Sequence, residues 1–183
     1  MAQTVKTAKT FIVHIDGTLN TQISSFKTKF LAPLVFAKPI ETINQIKMKE
    51  EDLQTKLEEK LREFHAVFIV TSENFAKFFN DEMNKGKTHE GILPSPLYEN
   101  SEVTYDTFKT FFDSEVQKEK PKLFLVYTLD DNGDKLDAHI PKCLDGLKAK
   151  GNVIEVSLKK KDKTTKKLIG YDKVCGHVRA FLP

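Results

Sequence analysis

Three short apolar runs, residues 11–15, 67–70 and 123–127, and one alternating stretch, 153–158, constrain this chain more than anything else in it. Each is rich in β-branched or aromatic residues and gives way to polar or glycine-containing sequence, the pattern of a strand. Between them lie stretches with helical spacing. Leu53, Leu57, Leu61 and Phe64 mark a helix over 50–64, on which Glu58 and Arg62 can pair at i, i+4. Phe75, Phe78, Phe79 and Met83 mark another, and Tyr105, Phe108, Phe111, Phe112 and Val116 a third. A fourth, over 135–150, is expected to stop at Gly151. Strands alternating with helices predict an α/β fold, a parallel sheet with helices on both faces. Right-handed crossovers then bring the carboxyl ends of the strands to one edge, where such sheets bind ligands. Asp16, Thr71 and the pair Asp130–Asp131 are expected to converge there.

Size and composition limit the alternatives. The chain has 183 residues, 39% hydrophobic and 30% charged, enough for one domain with a full core. Its net charge of +3 does not by itself demand a nucleic-acid partner. Two cysteines, Cys143 and Cys175, make no disulfide framework and have no zinc spacing. No apolar run approaches the eighteen or so residues of a membrane span, and the polar first ten residues lack a signal-peptide core. These features predict a cytoplasmic protein without a membrane partner. His65, His89, His139 and His177 are scattered, without i, i+4 pairing. There is no glycine-rich phosphate loop and no Gly-x-Ser-x-Gly elbow.

The first run leads into His14-Ile15-Asp16-Gly17-Thr18-Leu19. Asp16-Gly17-Thr18-Leu19 resembles the second half of the first motif of the haloacid-dehalogenase-like (HAD) phosphatases, Asp-x-Asp-Gly-Thr-Leu. Thr71 and Ser72, after the second run, are similar to the family's second motif, whose hydroxyl binds a phosphate oxygen. Read alone, either residue is equally a helix N-cap. Lys109 stands where the third motif's lysine is expected, and Lys120 and Lys122 compete for that role. The turn Asp130-Asp131-Asn132-Gly133-Asp134 resembles the fourth motif, with Asp130 and Asp131, or Asp130 and Asp134, as Mg²⁺ ligands. Asn132-Gly133 is also ordinary turn chemistry. The resemblance implies a Rossmann-like HAD domain over 1–183 with a small cap or none. A small cap or flap would occupy 20–49, where Pro33 and Pro39 interrupt any long helix. Asp16 with Asp130 and Asp131 would hold Mg²⁺, and His14, Asp16, Thr71 and Lys109 would occupy the catalytic positions.

His14 is the departure that matters. The family's nucleophile is an aspartate that forms an acyl phosphate, and imidazole cannot form that adduct. It also removes a negative charge from the Mg²⁺ site and offers nitrogen to a cation that prefers oxygen. The expectation is a HAD-like domain whose catalysis has lapsed and which binds a protein or a nucleic acid. The alternative is a Mg²⁺-dependent phosphatase of nucleotide or polynucleotide ends. Six lysines in residues 159–167 add a basic segment, expected to be a mobile, solvated tail or a hairpin, able to raise affinity for nucleic acid without reading sequence. Beyond it Val174, Val178 and Phe181 offer docking side chains.

Overall fold

The computed structural model describes residues 6–13, 20–42, 58–71, 122–129 and 144–182, with single positions at 110, 113, 114, 117 and 118. Among the described residues five strands form the sheet: β1 Thr10–Val13, β2 Ile40–Thr42, β3 Ala66–Thr71, β4 Lys122–Thr128 and β5 Val153–Val156. Every pairing is parallel, and the order is β2-β1-β3-β4-β5. This is the flavodoxin-type order of doubly wound sheets, in which the chain reverses direction between β1 and β3. The four strands expected from sequence are present. β5 ends at Val156, two residues short of the expected run. β2 is additional. It falls within the stretch expected as a cap or flap, and residues 40–42 add an edge strand beside β1. Residues 43–49 of that stretch lie outside the described residues.

Register sorts the core into two faces. Ile12, Phe68 and Phe124 lie side by side across β1, β3 and β4, and Val70, Val126 and Ile154 across β3, β4 and β5. Helix α1, Asn20–Phe26, runs into a π-helical turn over Lys27–Leu31, closed by the Ala32 N–H donating to the Lys27 carbonyl at 2.8 Å. Phe26 and Phe30 stack at 5.3 Å, and Phe26 meets Phe68 edge-on at 5.7 Å. The last helix, α3 (Tyr171–Arg179, numbered after α2 Asp145–Ala149), buries Val174 and Val178 in the same cluster. The opposite face carries Phe11, which packs on Phe64 at 4.9 Å. Leu61, Leu144 and Leu147 are buried outside the first cluster. Residues 58–61 are helical, and Glu58 and Arg62 approach to 3.9 Å. Helix α2 ends as expected, with Gly151 at φ 70°.

Of the two forms expected for the basic segment, tail or hairpin, the structure shows the hairpin. It is a hairpin loop inside the fold, because a core-forming helix follows it. Ser157 N–H donates to the Ile169 carbonyl, Ile169 N–H to Lys160 and Asp162 N–H to Lys167, and Lys161 bridges Leu168 in antiparallel fashion. The loop closes on Gly170 at φ 86°, where a Cβ would collide with the Glu155 carbonyl oxygen and lie 2.9 Å from Val156 Cγ1. Only glycine admits both that backbone conformation and that approach.

His177 on α3 packs its ring on Phe124 at 4.5 Å. Burial, then the charges of Lys122 and Lys173, hold its imidazole below the ordinary value of 6.5. The unfolded chain therefore takes up this proton first, and stability falls as pH drops from 6.5 toward the lowered folded value. The exposed carboxylate of Asp162 is held below its ordinary 3.8 mainly by the Thr165 and Thr164 amides, so its titration lies in a separate, more acidic window. Thermal unfolding should show the wild-type melting temperature falling between about pH 7 and pH 5, and His177→Gln should flatten that slope.

Candidate functional site

In a doubly wound sheet the ligand crevice opens outside the carboxyl ends of the strands that flank the reversal. Here those strands are β1, ending at Val13, and β3, ending at Thr71. The next residues in sequence are His14 to Asp16 after β1, and Ser72 after β3. β4 lies on the far side of β3 and ends at Thr128, two residues before Asp130. Val13, Ile69 and Leu125 share a register, and β4 continues three residues farther to Thr128. With strands about 4.8 Å apart and about 3.3 Å per residue, the ends of β1 and β4 lie about 14 Å from each other, with the end of β3 between them. The sheet thus gathers the three expected strand ends on one edge. His14, Asp16, Ser72, Lys109, Asp130 and Asp131 themselves lie outside the described residues. So do Lys120, Asp134, His89 and His139.

Apart from Lys122, a competitor for the third-motif role, Thr71 is the one expected site residue that the structure describes. It is fully buried, and its Oγ1 donates to the Val126 carbonyl at 3.5 Å, the long limit of a hydrogen bond. Its register partner is Tyr127, also fully buried. The hydroxyl therefore faces the neighbouring strand inside the sheet. Sequence offered a phosphate ligand or a helix N-cap at this position. A burial of this kind has no sequence signal, because threonine is equally at home inside a strand.

Lys122 can be placed and set aside. It opens β4 at the amino edge, six residues before Thr128, about 20 Å along the strand. Its ammonium lies over the Phe124 ring at 5.5 Å. His65 also sits at the amino edge, where its Nδ1 accepts from Lys9 N–H at 3.0 Å, leaving the ring proton on Nε2. A cleft of about 210 Å³ beside it is lined by Arg62, Glu63, Phe64, His65 and Phe181.

Sequence reasoning missed what stands at the carboxyl end of β5. Ser157 is buried, and its Oγ accepts from the Lys160 amide at 2.9 Å and the Lys159 amide at 3.4 Å. Leu129 N–H donates to the Val156 carbonyl at 2.8 Å, so the exits of β4 and β5 are joined. The lysine loop accordingly leaves the sheet at the same edge as the expected site. A serine at the end of an alternating strand was the available signal. Among the described residues no three His, Cys, Asp or Glu side chains gather as a metal would need, and the expected Mg²⁺ ligands are not among those residues. No family model matches the chain, and no curated protein matches it.

Replacing Thr71 tests the buried hydroxyl. Thr71→Val keeps the shape and removes one long hydrogen bond. Chemical denaturation should show a change in stability within about 1 kcal/mol in either direction. A loss of several kcal/mol would show that the hydroxyl is a structural linchpin of the β3–β4 pair.

Proposed function

We propose that this chain is a HAD-like domain whose phosphoryl-transfer chemistry has lapsed and which acts as a binding module. The single observation that carries the reading is the Thr71 hydroxyl, buried and directed at the Val126 carbonyl. A hydroxyl that cradles a transferring phosphoryl group has to face the crevice. The sequence supports the reading independently. His14 stands in the nucleophile's place, so no aspartyl phosphate can form there. The donor set His14, Asp16, Asp130 and Asp131 fits Mg²⁺ poorly, since one carboxylate of the resembled set is replaced by an imidazole. No step is therefore assigned to a metal. What remains is an edge of the sheet suited to holding a ligand without transforming it.

Wild-type protein should give no Mg²⁺-dependent turnover of a generic phosphate ester. His14→Asp returns a hard oxygen ligand beside Asp16, and calorimetric titration should then show stronger Mg²⁺ binding than in wild type. Turnover should not recover with it, because positioning errors of about 1 Å cost roughly a hundredfold. Robust wild-type activity abolished by both His14→Ala and Asp16→Asn would overturn the reading and make His14 a catalytic residue.

A further inference from the structure

We propose that the lysine loop between β5 and α3 is a docking site for the phosphate backbone of nucleic acid, indifferent to base sequence. Three observations carry this.

The first is where the charge sits. Residues 159–167 hold six lysines and one aspartate, a net charge of +5. The whole chain is +3, so the remainder of the protein is −2. The positive excess is confined to one loop on an otherwise slightly acidic body. A charge asymmetry of this kind steers a polyanion to one place on the surface.

The second is that the loop is built. Asp162 Oδ1 accepts from the Thr164 amide at 2.9 Å and the Thr165 amide at 2.8 Å, and Lys166 N–H donates to the Asp162 carbonyl at 3.0 Å. The one acidic side chain is thus engaged with the loop's own backbone. Lys166 adopts φ 61°, a left-handed conformation that closes the turn. At the base, Lys29 Nζ donates to the Leu158 carbonyl at 2.8 Å. Lys167 is committed to Asp172 at 2.6 Å and to the face of Tyr171. Lys161, Lys163 and Lys166 are exposed, and make no ion pair among the described residues. A loop ordered before binding loses less entropy on binding than a floppy tail.

The third is the chemistry of the tip. It presents lysines and the hydroxyl-bearing Thr164 and Thr165, all exposed. Lysine, threonine and backbone N–H groups are the usual phosphate contacts, and the planar Arg, Asn and Gln side chains that read bases in bidentate fashion are absent from the loop. A protein partner fits less well, since interface cores are depleted in lysine and built on aromatic and arginine anchors. A membrane surface also fits less well. Stable attachment takes a second signal beside a polybasic patch, and the tip has no apolar side chain to insert. The groove of about 320 Å³ beside the loop sets three carboxylates, Glu155, Asp162 and Asp172, against one lysine, Lys173, a balance unfavourable to phosphate, so docking falls to the lysines of the tip.

The proposal deepens the binding-module reading and rests on it only for the absence of turnover. A working phosphatase that still bound nucleic acid through this loop would sink the former and keep the latter. The test is fluorescence anisotropy with a labelled 20-base-pair DNA duplex of mixed sequence, repeated from low to moderate salt. The full chain is compared with a triple variant, Lys161→Gln, Lys163→Gln and Lys166→Asn, asparagine being tolerated at positive φ. Wild type should bind with a steep salt dependence. The variant should lose about three phosphate contacts, which lowers the log–log slope by about 2.7 and affinity by about five-hundredfold at 0.1 M salt. A control, Lys38→Gln with Lys148→Gln, removes two exposed lysines elsewhere and should leave both unchanged. If the triple variant does not fold, backbone amide shifts of wild type titrated with the duplex give the answer, with changes expected to centre on 159–167. No binding at low salt, an unchanged slope in the triple variant, an equal loss in the control, shifts centred elsewhere, or binding to anionic vesicles but not to DNA would each overturn the proposal.

Discussion

Phe68 stacked on Phe124 across β3 and β4, with centroids 5.4 Å apart, is the contact on which the rest of the structure depends. The two strands are the longest parallel pair in the sheet, and each must be covered because a parallel sheet has no solvated face. Phe26 from α1 closes on Phe68, and His177 from α3 closes on Phe124. The first and last helices are therefore fastened to the same two rings, although about 150 residues separate them. Fourteen phenylalanines with no tryptophan suit such a core, since phenyl rings stack without a polar atom to satisfy.

That arrangement fixes which edge of the sheet can hold a ligand. With α1 and α3 on one face, and Phe64 packed on Phe11 on the other, the chain must reverse between β1 and β3. In doubly wound sheets a ligand crevice lies outside the strands that flank such a reversal, and here those strands continue in sequence to His14, Asp16 and Ser72. The lysine loop leaves the neighbouring end of β5, which joins β4 through the Leu129 amide. The continuations of β1 and β3 and the basic loop thus leave the sheet at the same edge, because every pairing is parallel.

Much of this was legible from sequence. The runs that begin at 11, 67 and 123 announce strands because both faces of β1, β3 and β4 are buried and the residues are β-branched or aromatic, and 153–158 does so by alternation, with every second residue of β5 buried. Gly151 announces a helix end because few other residues accept φ 70°. β2 was not legible. Three residues of intermediate burial at an edge carry no alternation to read, and two prolines nearby mask the helix-to-strand passage. Nor was the order of the lysine loop, because the hydrogen bonds of Asp162 and Ser157 look, in sequence, like any polar stretch. Charge left a tail or a hairpin open, and the core side chains Val174 and Val178 beyond the segment require the chain to come back. At the site, motif spacing brought out Thr71 but not the direction of its hydroxyl, which is set by the pairing of β3 with β4.

The central claim is that this edge binds and does not transfer phosphate. Intact-mass spectrometry after incubation with Mg²⁺ and a reactive acyl phosphate addresses it most directly, because it sees a covalent step even where turnover is too slow to measure. The account predicts unmodified protein. A mass increase of one phosphoryl group, mapped by peptide analysis to His14 or Asp16, would contradict it.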